Sequence, residues 1–373
     1  MEKACVRIEN ESSVSLTFNG DGYELPPVGT DSTILQPQEQ GLYVVDAGDI
    51  SGYVVMRNTT EAVALPQSVS EFERGMVYTF HYNGTALVLT DVADMWGNLT
   101  FFVSTASEMQ TALASIGGST DASARFVIAV AESFSLEPTS ISGVSFTIMS
   151  GGEEEKTISL DDMGSLFTVE SGATLTLGNN VILQGASDNT APLVMVNSGG
   201  SLEMNSGAKL INNSNSSSSG GGVYVGGDGT SFTMSGGLIR GNKATNSGGG
   251  VGVFDGGTFT MTGGEISGNM ASANGGGVGV YGTFTMSGGA ISNNAATSYG
   301  GGVYVYDYSK WTFTKQTGGV IYGFEADTSL RNTAYGSSYG HAVYASSKKR
   351  NSTAGTEVTL DSAVSGADGG WED

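Results

Sequence analysis

The chain contains one cysteine, Cys5, so it cannot close a disulfide within itself. Its six prolines all lie at or before Pro192, which leaves the second half free of a residue that removes backbone donors. Only 15 basic residues stand against 37 acidic ones, for a formal charge of −22. Binding to phosphate backbones needs surface Lys and Arg, so nucleic acid is excluded as a partner. No apolar run approaches the roughly 18 residues of a membrane-spanning helix. The opening Met-Glu-Lys-Ala-Cys has no apolar segment before Cys5, so no signal peptide is visible. The chain is then either cytoplasmic, or its secretion signal precedes this sequence, in which case Cys5 is a candidate lipid-anchor site.

What is present is glycine. Of 373 residues 58 are Gly, yet no G-X-Y period exists, so a collagen-like fold is excluded. Apolar residues make up 39%, too many for a simple disordered chain. The length allows two domains and a sizeable core. Residues 220–302 hold 28 of the glycines, whereas residues 1–158 carry a net charge of −15; the two halves therefore differ in architecture.

Residues 1–95 read as short strands, at 14–19, 41–46, 52–58, 77–82 and 86–90. Asn83-Gly84 lies between the last two and fits a type I′ hairpin turn, which needs positive φ at both central residues. Tyr78, Phe80 and Tyr82 alternate with Thr79 and His81, as a half-buried strand requires. The expected domain is a small antiparallel β-sandwich. A helix follows at about 105–116. Thr105 and Glu108 form a capping box, Ala106, Met109, Leu113 and Ile116 share one face, and Gly117-Gly118 ends it.

From Gly220 the sequence repeats. Gly220-Gly-Gly-Val-Tyr-Val225 recurs from Gly248, Gly275 and Gly300, with a weaker copy from Gly340. Each is followed by Phe-Thr-Met or Phe-Thr-Lys (Phe232, Phe259, Phe284, Phe313). A Gly-Gly-x-Ile comes next (Ile239, Ile266, Ile291, Ile321), and Asn242, Asn269 and Asn294 close the first three units. Three short strands joined by Gly- and Asn-rich turns cannot bury an apolar face alone. Stacked in parallel they can. Alternation then places Val223, Val225, Phe232, Met234 and Ile239 inside, with Tyr224 and Thr233 outside. Asn is expected to adopt left-handed turns and to hydrogen-bond along the stack. Weaker turns of the stack lie at 167–183 and 193–213, beginning near 126–129 and 146–149. About nine turns at ~4.8 Å each give a rod of ~43 Å. The helix is expected to cap one end and residues 345–373 the other.

The fold class expected is therefore all-β: a right-handed parallel β-helix over residues 96–373, behind the sandwich of 1–95. The GGGVYV…FTMSGG-x-I-x-x-N units resemble Gly-rich β-helix repeats of bacterial surface proteins and lipoproteins, notably of spirochaetes and gut bacteria. Gly288-Gly-Ala-Ile291 is similar to half of the signature of chlamydial polymorphic outer-membrane proteins, although the companion Phe-x-x-Asn is absent. The resemblance covers about residues 100–373. It implies an adhesin-like protein on the cell surface, on the outer membrane or secreted, and transfers no catalytic residue.

Enzymes of this fold need convergent carboxylates or a calcium-binding Asp cluster with a basic residue. Asp228, Asp255 and Asp307 follow the first strand of three turns and are the candidates for that alternative, although a turn role suits them better. Arg240 and Lys243 fall near the third strand, on another face. His81 and His341 have no acidic partner at motif spacing, and Cys5 has no nearby His, so no catalytic triad, metal site or cofactor is expected. Glu153-Glu-Glu155 reads as a solvated charge run. Lys315 interrupts the Met series, which a one-residue bulge would explain.

Phe254, Tyr281 and Tyr306 each follow the inward Val of a first strand. With Tyr304 and Trp311 they are the candidate ligand-binding residues, an aromatic ladder with acids beside it for a glycan or a protein partner. The alternative is that these rings stack on one another and only stabilise the sheet. A monomer is expected. A structural spacer carrying residues 1–95 is the third reading.

Overall fold

The computed structural model describes residues 3–10, 16–20, 23–24, 34–35, 40–46, 48–50, 53–57, 61–66, 69, 71–72, 76–82, 85–94, 98–118, 125–152, 154–306, 312–316, 318–323, 326–335 and 340–345. Two compact units divide the chain. One comprises Met1–Phe101 and Thr120–Val127, the other Phe102–Ser119 and Ile128–Asp373.

In the first unit, strands Gln40–Asp46, Lys3–Asn10, Met76–Tyr82 and Leu87–Asp94 lie side by side. Tyr82 pairs with Leu87, as the hairpin reading requires; Asn83 and Gly84 themselves lie outside the described residues. Lys3–Asn10 runs parallel to Met76–Tyr82, so this sheet is mixed and not purely antiparallel. A second sheet joins Leu16–Gly20 to Tyr53–Arg57, and the latter to Glu61–Val63, all antiparallel. Val6, Ile8, Leu16, Phe18, Val55, Tyr78, Phe80 and Tyr82 are buried. The alternation of Tyr78, Phe80 and Tyr82 thus buries three rings from one strand.

The second unit opens with a helix, Ala106–Gly117. Thr105 Oγ1 accepts the Glu108 backbone N–H at 3.2 Å. Glu108 returns the contact one residue earlier than a standard capping box, to the N–H of Ser104 at 2.7 Å. Met109, Ala112 and Ile116 are buried, and the helix packs on Phe134–Leu136 in the first turn of the stack.

The rest of this unit is a parallel β-solenoid. One sheet carries the Val-x-Val strands, from Thr139–Ile141 through Val223–Val225 to Val343–Ala345, and holds eight strands among the described residues. A second carries the Phe-x-Met strands, including Thr174–Leu177, Ser201–Met204, Thr230–Met234, Gly257–Met261, Thr283–Met286 and Thr312–Lys315. A third carries the Ile strands, from Phe134–Leu136 through Leu238–Arg240 to Val320–Ile321. The stack therefore has about eight turns, not nine, and at ~4.8 Å per turn is ~38 Å long. It begins, as expected from 126–129 and 146–149, with Arg125–Val130 beside Ser145–Ser150 in the Phe-x-Met sheet, and its first strands, including Phe134–Leu136 and Thr139–Ile141, have neither the Gly run nor the Phe-Thr-Met motif. A fourth sheet adds two-residue strands after the Ile strand: Ser214–Asn215, Lys243–Ala244, Met270–Ala271 and Ala295–Ala296. Each central turn so has four strands where the sequence suggests three. The expected cap at 345–373 lies, beyond Ala345, outside the described residues.

Register explains the repeats. Phe232 pairs with Phe259, Phe259 with Phe284, and Phe284 with Phe313. Their ring centroids are 4.7, 4.7 and 5.0 Å apart, with planes within 16°. Val223, Val225, Met234 and Ile239 are fully buried in equivalent files. Full burial of such a side chain contributes roughly 1.5–3 kcal/mol; stacked rings add about 0.5–1.5 kcal/mol per pair. Lys315 occupies the Met position without any bulge, since Met286 pairs with Lys315 in unbroken register. It is 4% exposed. Its Nζ donates to the carbonyls of Gln316, at 2.9 Å, and Gly318. Burial lowers its pKa from the ordinary 10.5.

Asn213, Asn242, Asn269, Asn294 and Asn332 form a buried file at the corner after the Ile strand. The left-handed position is the residue before it: Asn212 (φ 57°), Gly241 (φ 70°), Gly268 (φ 64°) and Asn293 (φ 53°). In these four turns Gly or Asn holds that position, because a Cβ crowds the following carbonyl there; Arg331, before Asn332, is not left-handed. The file residues keep their side chains for hydrogen bonding along the stack.

Candidate binding face

The outward face of the Val-x-Val sheet carries a continuous ring stack. Tyr224 takes the middle position of its strand, and Gly252 and Gly279 take it in the next two turns. A Cβ on Gly252 would sit 2.8 Å from Cε2 of Phe254, so its absence lets that ring fold back over the strand. Phe254 then lies against Tyr224 at 4.9 Å and 13°, and Tyr281 against Phe254 at 5.1 Å and 2°. Tyr306 continues the file at 5.4 Å and 26°.

Tyr281 OH lies 2.7 Å from Ser247 Oγ. Burial raises its pKa above 10.0, partly offset by hydrogen bonds from Ser247 and Asn274. Tyr304 is not an outward contact: it is 6% exposed, among Tyr281, Tyr299, Tyr306 and Tyr344. Burial first, and neighbouring phenols second, push its pKa far up. Tyr306 is the outermost of these rings, at 44% exposure.

This geometry limits the chemistry. A sugar stacks on an open ring face. Both faces of Phe254 and of Tyr281 are covered by neighbouring rings, so they present edges. The rings do stack on one another, as the structural alternative requires, and Tyr306 is the most exposed of them. Trp311, Tyr308 and Tyr339 lie outside the described residues. Tyr224, Tyr299 and Ser247, which join the cluster, were not among the sequence candidates. Gly252 and Gly279 hide Tyr224 as a ladder member, because its partner ring comes from two residues further along.

Asp228 and Asp255 lie in equivalent turns between the Val-x-Val and Phe-x-Met sheets, and both are exposed. Their backbone carbonyls accept N–H groups of the preceding turn, from Gly199 at 3.0 Å and Gly227 at 2.8 Å. Asp307 lies outside the described residues. Among the described residues no three His, Cys, Asp or Glu converge as a metal site would need. Glu170, at the same corner, accepts Asn197 Nδ2 at 3.0 Å.

Among the described residues of the solenoid strands, outward bases cluster elsewhere. Lys156, Lys209 and Arg240 belong to the Ile sheet, and Lys243 to the short fourth sheet beside it. Lys209 pairs with Glu155, and Lys156 with Glu132 at 3.5 Å and Glu154 at 3.8 Å. The acidic run is therefore partly ion-paired and not merely solvated; Glu153 is outside the described residues. His341 is 4% exposed, and its Nδ1 accepts the N–H of Ala334 at 3.1 Å. His81 is half-buried in the other unit. Cys5 pairs in its strand with Val77, and its side chain lies outside the described part.

The outward face of the Phe-x-Met sheet is different again. Ser231 and Thr233, Thr258 and Thr260, Thr283 and Thr285, and Thr312 and Thr314 form two parallel files of hydroxyls. Glu203 is the one charge in the continuation of these files through Thr174, Thr176 and Ser201. No helix among the described residues is long and apolar enough to cross a membrane. Comparison with known protein families, curated proteins and solved structures finds no match.

Proposed function

We propose that the chain is a non-enzymatic binding protein of adhesin type, which presents a repetitive solenoid face to an extended glycan or protein. The observation that supports it is the regularity of the outward faces. Hydroxyl files and a ring stack repeat in register, while Asp228 and Asp255 remain exposed turn residues with backbone roles. A rigid periodic surface suits a periodic or elongated ligand, because little ordering is needed on binding.

On this reading the solenoid is right-handed, the hand that parallel strand crossovers favour, and the first unit is a small β-sandwich. Its place is a bacterial cell surface, outer membrane or the extracellular space, as a monomer, with Cys5 the site for a lipid anchor. The test is a glycan array run beside an assay for reducing ends and unsaturated sugars. Binding without product supports the reading; release of sugar products would instead assign the chain to polysaccharide cleavage. Binding retained by a fragment of residues 1–95 would make the solenoid a spacer.

A further inference from the structure

We infer that Tyr299 and Tyr344 are a site of dityrosine formation under one-electron oxidation, a covalent staple that ties the last described turn of the solenoid to the turn before it. The inference is independent of what the chain binds.

Three features carry it. The first is proximity. The two rings come from successive turns, and their centroids lie 4.5 Å apart at 32°. The other tyrosine pairs of this cluster, among the described residues, are 5.4 to 6.5 Å apart. Rings at the shorter spacing are in contact, so two radicals formed there couple without first having to diffuse together.

The second is fixation. The Tyr299 N–H donates to Asn274 Oδ1 at 3.2 Å, and its carbonyl accepts the N–H of Gly275 at 2.8 Å. Tyr344 is the middle residue of Val343–Ala345 and pairs with Tyr304. The residues before it are held by N–H groups of Gly301, Gly302 and Val303, which donate to the carbonyls of Gly340, His341 and Ala342 at 2.8–2.9 Å.

The third is position. Val343 follows its partner Val303 by 40 residues, where each earlier step along this sheet takes 25 to 29. The pair brackets this longest turn. Val343–Ala345 is also the end strand of its sheet among the described residues. A long turn at the end of a stack opens most readily. Cys5 is the one cysteine, so no disulfide within the chain can close that turn; a phenol pair can.

In the coupling each phenol gives one electron and its hydroxyl proton to the oxidant. The two radicals join through ring carbons ortho to oxygen, and the ortho hydrogens move to the oxygens as the rings regain aromaticity. Two electrons and two protons leave in all. One hydrogen peroxide, used through a haem peroxidase, accepts them as two waters.

The test treats the dilute full chain with photo-generated tris(bipyridyl)ruthenium(III) and persulfate, each persulfate taking two electrons to leave two sulfates. Dityrosine is read by its blue fluorescence and placed by mass spectrometry of tryptic peptides. Tyr299→Phe and Tyr344→Phe keep the packed rings, and circular dichroism confirms that each variant is folded. Either should lower the yield within the chain about fivefold, and Tyr335→Phe by less than about twofold. Tyr335 is the control because it is 74% exposed, and it dominates if accessibility chooses the site. The cross-linked chain should also have a higher urea midpoint than the untreated one, a gain that treated Tyr344→Phe lacks. A link placed in the native chain mainly on Tyr335, on Tyr281 with Tyr306, or between chains would overturn the proposal. So would a link between Tyr299 and Tyr344 that leaves the midpoint unchanged.

Discussion

Asn269 and Asn294 are joined twice: Asn294 Oδ1 accepts the backbone N–H of Asn269 at 2.9 Å and its side-chain Nδ2 at 3.0 Å. Asn269 Nδ2 also donates to the carbonyl of Ile239 at 2.9 Å, and Asn269 Oδ1 takes two donors from Asn242. All four hydrogen-bonding positions of this buried amide are filled, across three turns. Asn269→Leu takes the acceptor from the buried Asn242 N–H and a donor from the Ile239 carbonyl, at about 1–3 kcal/mol each, while Asn294 Oδ1 keeps only the backbone N–H of residue 269. A loss of at least ~3 kcal/mol is expected from urea denaturation, whereas Asn293→Gly, at a left-handed position on the surface, changes the midpoint little.

Phe259 is held between Phe232 and Phe284. Phe259→Ala should cost about 3–5 kcal/mol through lost burial and the cavity it leaves. Phe259→Leu should cost much less, since Leu175 and Leu202 fill the same file in earlier turns. Equal losses for the two substitutions would show that the file does not behave as one packed column.

Lys315 tests the opposite case. Its folded pKa is lowered by burial, so protons bind the unfolded chain more readily between that lowered value and 10.5. Stability from this group is therefore reduced at neutral pH and recovered as pH rises towards 10.5. Lys315→Met should raise the urea midpoint at pH 7, and its advantage over the native chain should shrink as pH is raised to about 10.

The tyrosine cluster works with the other sign. Tyr224, Tyr281 and Tyr304 all have raised pKa values, so folding favours their neutral forms. Their contribution is complete below pH 10.0 and is lost as pH rises beyond it, when the unfolded chain ionises first. In a spectrophotometric titration a fraction of the phenols should resist ionisation above pH 10 and then ionise together with unfolding. A single smooth transition near pH 10 in the folded chain would contradict the burial of Tyr304.

The sequence made the core files legible because a strict repeat of Val-x-Val, Phe-Thr-Met and Gly-Gly-x-Ile leaves one register that buries every large side chain. The first turn was legible only in its Phe-x-Met-sheet strands, Arg125–Val130 and Ser145–Ser150, through their alternation. Phe134–Leu136 and Thr139–Ile141 share only alternation with later strands, and none of their motif residues. The fourth sheet was hidden for a related reason: strands such as Met270–Ala271 and Ala295–Ala296 are too short to alternate. Strand Lys3–Asn10 did carry a signal, Val6 and Ile8 alternating with Arg7 and Glu9. At the candidate site, outward placement of Phe254, Tyr281 and Tyr306 followed from strand periodicity. The covering of their faces did not, because it depends on a glycine in the neighbouring position and on a ring from another turn.

The hydrogen bonds between turns run along the solenoid axis, from Gly220 to Ser247 and from Gly248 to Asn274 in the same corner. A load that pulls whole turns apart must break the bonds of all sheets at once. A load on the chain ends works on one turn at a time. Val251 and its equivalent Val278 are 27 residues apart, so each turn peeled away would release about 90 Å of extended chain. The same scaffold is thus stiff against tension spread over a face and yields turn by turn when drawn from its end, as a force absorber would.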